Sequence, residues 1–194
     1  MSEIRVKVCV VGSAGGKMQP DIAAKARQFG QAVAERGCVL ITGACPGYPH
    51  EAVLGARQAG GLVVGISPAL CLQEHIERYK SPWREYDVII YTGSGLMGRE
   101  VEIIRSSDIV CVIAGRSGTL GEFAIAYDEA KLICVLEGTD GIADHIREIV
   151  RIINKETGAE LIYDSNPAQL LDRALEAHER RIAEGVAYVI PAVP

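Results

Sequence analysis

The chain has 194 residues, of which 48% are hydrophobic and 23% charged, proportions typical of one globular domain with a sizeable core. Its net charge of −5 argues against nucleic acid or an anionic membrane as the main partner, and no apolar stretch has the length of a signal peptide or a membrane span. Six scattered cysteines match no zinc spacing and fit a reducing compartment, so we expect one domain over residues 1–194, in the cytoplasm, without metal or cofactor.

Apolar, β-branched runs alternate with helical patterns along the whole chain. Strands are predicted at 4–11, 38–42, 61–67, 87–91, 108–113 and 131–136, with a further short strand at 160–163. Helical spacing of apolar residues predicts helices at 22–33, 51–59, 70–79, 97–104, 123–130, 142–153 and 166–183. The tail at 185–194 has too little polarity for a linker, and we expect it to pack on the body of the protein.

This strict alternation predicts a Rossmann-like α/β fold, with a doubly wound parallel sheet and helices on both faces. Ligands of such folds bind beyond the carboxyl ends of the strands. The loops predicted at that edge are 12–16, 43–49, 92–95 and 114–119, and all four are rich in Gly, Ser or Thr. We therefore expect a small-molecule site at this edge.

The loop at 114–119 joins a buried strand to a helix, and such a helix start attracts anions through its free N–H groups and its dipole. Two ionisable residues accompany it, Arg99 one element earlier and Glu122 just inside the helix. This combination predicts a phosphate-bearing ligand with chemistry beside the phosphate. Two alternatives stay open: Glu122 closes a capping box that begins at Thr119, or Arg99 is a solvated surface residue.

The first loop carries Gly12 and Ser13 but does not have the G-x-G-x-x-G pattern of dinucleotide-binding proteins. The second strand ends in Thr42-Gly43, where such proteins place an acidic residue for the ribose. These two differences argue against a dinucleotide oxidoreductase. We interpret Gly12 and Ser13 as contacts for a phosphate or nucleotide, with a plain strand-to-helix turn as the alternative.

The segment from Arg99 to Glu122 resembles the Lonely Guy family, which has an Arg, then a strand, then the motif P-G-G-x-G-T-x-x-E. Here the motif positions hold residues 114–122, and the loop containing Gly43 and Gly47 resembles the family's second glycine loop. The resemblance implies a homodimer that hydrolyses the N-glycosidic bond of a nucleoside 5′-monophosphate to free base and ribose 5-phosphate. It implies a catalytic pair, Arg99 and Glu122, and a loop that holds the phosphate, comprising Gly115, Arg116, Ser117, Gly118 and Thr119.

The chain departs from the motif at three positions, where Ala114, Arg116 and Glu100 replace the family's Pro, Gly and Lys. It is also similar to a related branch that contains molybdenum-cofactor carrier proteins, which implies binding of a phosphorylated pterin without turnover. Two hypotheses follow. The preferred one is a phosphoribohydrolase, and the alternative is a non-catalytic carrier or sensor of a phosphorylated ligand such as molybdenum cofactor or a nucleotide.

Two further expectations concern the surface. The four histidines lie in or beside predicted helices without a cluster of metal ligands, and we expect them to be exposed. We also expect the helices around 101–104 and 123–130 to pair with a second copy across a two-fold axis.

Overall fold

The computed structural model describes residues 4–186, so most of the predicted tail, 187–194, lies outside the described residues. Seven strands form one parallel sheet, in the order β4-β3-β2-β1-β5-β6-β7. The strands are β1 Lys7–Gly12, β2 Val39–Thr42, β3 Leu62–Ser67, β4 Val88–Tyr91, β5 Ile109–Ile113, β6 Leu132–Leu136 and β7 Glu160–Asp164. The predicted parallel α/β sheet is confirmed, and the short strand at 160–163 is its seventh member.

Helices cover both faces of the sheet, as the doubly wound prediction requires. They are α1 Pro20–Glu35, α2 Tyr48–Gln58, α3 Leu72–Glu77, α4 Gly95–Arg105, α5 Ser117–Asp128, α6 Ile146–Ile153 and α7 Pro167–Ala183. The core on one face includes residues of α1, α2 and α7, and the core on the other includes residues of α4, α5 and α6. Within the described residues, no helix combines the length and apolar character needed to cross a membrane.

All strands except the edge strand β4 contribute to both cores, so their apolar residues point to both sides of the sheet. In β1, Val8 and Val10 belong to the core under α1, while Cys9 and Val11 belong to the core under α5. All five residues of β5 are fully buried. Burying one such side chain stabilises the fold by about 1.5–3 kcal/mol, which explains why the central strands are continuous apolar runs.

The structure moves the start of α2 to Tyr48, three residues before the predicted start. Pro49 fits the first turn because its missing N–H would have no helical partner there. The backbone N–H of Tyr48 donates to the carbonyl of Ser13 at 3.1 Å. This contact joins the loop before α2 to the loop after β1, a tertiary interaction that the helical pattern does not report.

The predicted exposure of the histidines is wrong for His75, which is fully buried. Its Nδ1 lies 2.8 Å from Ser67 Oγ, and its Nε2 lies 2.9 Å from the carbonyl oxygen of Pro82. Both ring nitrogens are thereby satisfied, so the imidazole can be buried at little cost. His178 is also buried, with 9% of its surface exposed.

The structure leaves only part of the predicted pairing surface exposed. Ile103 and Ile104 of α4 and Phe123 of α5 are fully buried in the core of this chain and cannot meet a second copy, whereas Val101 and Ile125 are partly exposed. The helical spacing correctly detected an apolar face, but that face packs on the sheet.

Candidate functional site

A pocket of about 300 Å³ opens beyond the carboxyl ends of the neighbouring strands β1 and β5. The strand order switches between these two strands, because β2, β3 and β4 lie on one side of them and β6 and β7 on the other. The loops after these neighbouring strands lead to helices on opposite faces, which leaves a crevice between them. The pocket is lined by Val10, Val11, Gly12, Ser13, Ala14, Gly43, Cys45, Pro49, Leu96, Arg99, Glu100, Arg116, Ser117, Gly118, Thr119 and Glu122.

Close backbone packing explains Gly12 and Gly47. A Cβ on Gly12 would overlap the carbonyl oxygen of Ile113, and a Cβ on Gly47 would overlap that of Ser13. Gly47 also has a φ of +87°, which other residues rarely adopt. The hydroxyl of Ser13 accepts a hydrogen bond of 3.1 Å from the N–H of Gly115. These contacts hold three loops together at the floor of the crevice.

Helix α5 points its amino-terminal end into the pocket. It begins at Ser117, and within the described residues no side chain caps it with a hydrogen bond from the N-cap position. As at every helix start, its first N–H groups have no partner within the helix. The capping-box alternative is therefore wrong: Thr119 is the third residue of the helix, not its cap, and Glu122 lies in the second turn. The N-cap position is occupied by Arg116, whose backbone is extended.

The side chains of Arg99 and Glu122 meet at the bottom of the pocket. Nη1 of Arg99 donates to Oε1 of Glu122 at 3.0 Å, and only 8% of each side chain is exposed. The alternative of a solvated Arg99 is thus wrong. Gly43 makes room for the pair, because a Cβ there would overlap the guanidinium. The Nε of Arg99 is buried without a hydrogen-bond partner among the described residues.

Burial sets the protonation of the acidic groups here. Desolvation raises the pKa of Glu122 to about 7, opposed by the attraction of Arg99 and reinforced by the nearby charge of Glu100. Desolvation also raises the pKa of Glu100, again opposed by Arg99. Glu122 is therefore able to gain or lose a proton near neutral pH, a property that acid–base catalysts share.

Glu100 was recognised in the sequence only as a departure from a motif, yet it lines the pocket. A Cβ on Gly121 would come within 2.8 Å of Oε2 of Glu100, and one on Gly118 within 3.5 Å of Oε1. Two glycines three residues apart on α5 therefore make the space that this carboxylate occupies. That i, i+3 spacing, opposite an acidic residue on α4, is the signal that could have identified it.

Arg116 lies at the mouth of the pocket. Its side chain is exposed. Its Nη2 lies against Gly15, 3.1 Å from the position that a Cβ on this glycine would take. No acidic side chain among residues 4–186 forms a salt bridge with it. Its positive charge is therefore available to an anion next to the start of α5.

Nine of the eleven predicted site residues line the pocket, and the other two support it. Gly115 has a φ of +112° and packs beneath Thr119, while Gly47 packs on the loop after β1. None of the residues of the predicted loop at 92–95 lines the pocket, although Leu96, Arg99 and Glu100 of the helix that follows β4 do.

Seven residues of the lining were not predicted as binding residues: Val10, Val11, Ala14, Cys45, Pro49, Leu96 and Glu100. Cys45 and Pro49 both contribute to the wall formed by the loop after β2 and the start of α2. Burial raises the pKa of the Cys45 thiol to about 11, so it is protonated at neutral pH. Over the described part of the chain, no three His, Cys, Asp or Glu side chains are grouped so that they could hold a metal ion.

Comparison with known proteins finds a matching family model and a related sequence. The model of the SLOG cluster4 family matches residues 5–171. An uncharacterised protein of Archaeoglobus fulgidus is 34% identical over 133 residues, which are 68% of this chain and 80% of that protein.

Solved structures share the fold over nearly their whole length. The molybdenum cofactor binding protein of Rippkaea orientalis is 27% identical with a TM-score of 0.73, covering 91% of this chain and 98% of that one. The molybdenum cofactor carrier protein of Chlamydomonas reinhardtii has the same TM-score at 23% identity, with coverages of 91% and 99%, and shows likeness of fold alone.

Proposed function

Because the chain belongs to the SLOG cluster4 family, we propose that it binds a phosphorylated small molecule of the nucleotide or pterin class, as a carrier or sensor. The ligand occupies the pocket between β1 and β5, with its phosphate at the start of α5. The eleven residues predicted from the sequence and Glu100 form or support this site.

One observation carries the proposal: hydrogen-bond donors and positive charges of two kinds line one pocket. The first N–H groups of α5 have no partner within the helix, and the side chains of Arg99 and Arg116 line the same pocket. A phosphate supplies acceptors for such donors.

The relatives favour binding over turnover. The protein of Rippkaea orientalis is named as a molybdenum cofactor binding protein, and this chain is similar to it over nearly the whole length of both. The sequence alone led us to prefer the phosphoribohydrolase, and the comparisons favour the alternative instead. Membership of the Lonely Guy family stays a proposal.

Calorimetric titration tests the binding proposal. We expect guanosine and adenosine 5′-monophosphates to bind and the corresponding nucleosides to bind at least tenfold more weakly, because the phosphate contacts would be lost. Arg99→Ala should abolish binding, and Arg105→Ala is the matched control, since Arg105 lies on the same helix and pairs with Glu129 on the surface. Equal affinity for nucleosides and nucleotides would overturn the phosphate site.

A second candidate function is the phosphoribohydrolase. Glu122 favours it, since a buried carboxylate with a pKa of about 7 beside an arginine is suited to direct water at a ribosyl centre. The test is chromatography for free base after incubation with nucleoside monophosphates. Base release by the wild type that is lost in Glu122→Gln would establish catalysis, and no release from any substrate would leave the carrier function.

We also propose that two copies associate, through a surface different from the one predicted. Val88 and Ile90 of the edge strand are each 48% exposed, and Met97 of α4 is 78% exposed. Val88 pairs in register with Val64, which packs in the core under α4, so these residues lie on the same side of the sheet as α4. We call Val88, Ile90 and Met97 the β4–α4 surface.

A further inference from the structure

Glu100 is an acid without a partner in a pocket that otherwise suits an anion. The residue is 8% exposed, and its carboxylate makes no hydrogen bond or salt bridge within residues 4–186. Its oxygens are not among the fully buried polar atoms without a partner in the described part of the chain, so they are accessible from the pocket. The space beside Gly118 and Gly121 holds the carboxylate in the pocket wall.

Charges of both signs line the pocket. Arg116 and the start of α5 offer positive charge to a phosphate. Glu100, whose carboxylate lies beside Gly118 and Gly121 of α5, adds a negative charge to the same lining as Arg99 and Glu122. A carboxylate repels a phosphate, so the part of the ligand that meets Glu100 must donate hydrogen bonds.

We propose that Glu100 accepts two hydrogen bonds from the N–H edge of a 2-amino-4-oxopyrimidine ring, the edge that guanine and pterins share. The inference rests on the proposed function and names its ligand class. This ring edge presents a ring N–H and an amino N–H side by side, which match the two oxygens of a carboxylate. Adenine presents one amino group beside an unprotonated nitrogen, which a carboxylate repels.

Glu100 is thus a specificity residue. The side chain of Arg99 lines the same pocket and adds a second positive charge to it. The carboxylate selects the ring, and Arg116 with the start of α5 holds the phosphate. A ring with the wrong edge would leave Glu100 buried and unpaired, which is the mechanism by which polar sites reject analogues most strongly.

The test is calorimetric titration of the full chain with four probes: guanosine, inosine and adenosine 5′-monophosphates and neopterin monophosphate. Inosine monophosphate lacks only the 2-amino group of guanosine monophosphate. We expect the guanine and pterin probes to bind about tenfold or more tightly than the inosine and adenine probes. Whichever of the guanine and pterin probes binds more tightly indicates whether a nucleotide or a pterin is the ligand.

Glu100→Gln should weaken the binding of the guanine and pterin probes about tenfold and leave the affinity for adenosine monophosphate unchanged. Glu100→Asp, which keeps the charge but withdraws it by one methylene, should give an intermediate preference. The matched control is Glu102→Gln, since this acid lies on the same helix and is bonded to the hydroxyl of Ser94. Thermal melting confirms that each variant is folded.

The outcomes separate this inference from the proposed function. Equal affinity for all four probes, or a preference that survives Glu100→Gln, overturns the role of Glu100 and leaves the phosphate site standing. Failure of all four probes to bind overturns the proposed function and the ring assignment together.

Discussion

Arg99 is fixed by an ion pair on one side and by a glycine on the other. Its guanidinium bonds Glu122 at 3.0 Å and lies directly against Gly43, which is buried. Position 43 must be a glycine, because even the methyl group of an alanine would overlap the guanidinium of Arg99. Arg99 is therefore held in one position in the pocket lining, so that ordering it on ligand binding costs little entropy.

Gly43→Ala should displace Arg99 and weaken nucleotide binding by tenfold or more. The added methyl would break the Arg99–Glu122 bond, and an arginine free to move must be ordered again when the ligand binds. The measurement is calorimetric titration with guanosine monophosphate, alongside a thermal melt. Binding equal to that of the wild type would show that the contact with Gly43 does not position Arg99.

The raised pKa of Glu122 makes stability depend on pH. Folding shifts this pKa from the ordinary value of 4.5 to about 7, so the folded state holds a proton that the unfolded state releases between these values. The free energy of unfolding should therefore fall as the pH rises from about 4.5 to 7, by about 3 kcal/mol from this group. Below pH 4.5 and above pH 7 its contribution is constant.

Urea denaturation across this pH range measures the effect as the difference between wild type and Glu122→Gln. The variant has no carboxyl to titrate at this position, so its stability should vary less over the window. Carboxyl groups remote from Glu122 contribute equally to both proteins and cancel in the difference. Parallel curves would mean that Glu122 keeps an ordinary pKa in the folded state.

At the residue scale, the sequence predicted the pocket best where one residue type has one plausible role. Arg99 and Glu122 were recognised because a strand, a glycine loop and a helix start lie between them. Glu100 was not recognised as a pocket residue, since its position depends on how α4 crosses α5 and on the space at Gly118 and Gly121. Such a crossing is a tertiary feature that one sequence does not report.

Helix α5 combines an anion site with a weakened helix. Gly118 and Gly121 each lower helix stability by up to about 1 kcal/mol relative to alanine, and neither has an unusual backbone conformation that requires glycine. Their common neighbour is the carboxylate of Glu100. The sequence of α5 is therefore explained by the space that this carboxylate needs.

Gly121→Ala should separate stability from ligand selectivity. The methyl group favours the helix, but it would lie 2.8 Å from Oε2 of Glu100 and push this flexible carboxylate aside. We expect a melting temperature equal to or above that of the wild type, together with a reduced preference for guanosine over inosine monophosphate. A stable variant with the wild-type preference would contradict the link between Gly121 and Glu100.

At the element scale, periodicity predicted the strands more closely than the helix boundaries. Strands such as β5 are buried on both faces, so their apolar runs stand out in the sequence. The start of α2 was placed three residues too late, because Pro49 in a glycine-rich stretch is as typical of a loop as of a first helical turn.

At the scale of the whole molecule, strand order determines which loops form the pocket. The sequence predicts parallel strands and four loops at one edge, but it does not predict that β1 lies between β2 and β5. That arrangement brings the loops after β1, β2 and β5 together and leaves the loop after β4 at the far edge. The order also leaves the outer strand β4 incompletely covered on the side of α4.

The incomplete cover of β4 leads to the last prediction, the association of two copies. Light scattering should give the mass of a dimer for the wild type and of a monomer for Ile90→Asp, because a charge on the β4–α4 surface would be buried unpaired at the interface. The exposed position of Ile90 means that the substitution should change the stability of one copy by no more than about 0.5 kcal/mol.

Ile152→Asp provides the control, since Ile152 is 72% exposed on α6, which follows β6 on the opposite half of the sheet. The Ile152→Asp variant should stay dimeric if Ile90→Asp dissociates the dimer because Ile90 lies in the interface, and not because any loss of exposed apolar area weakens association. A monomeric wild type would remove the dimer proposal, and dissociation by both variants would place the interface elsewhere. Because Leu96, beside Met97 on α4, lines the pocket, a dimer formed by this surface would also border the ligand site.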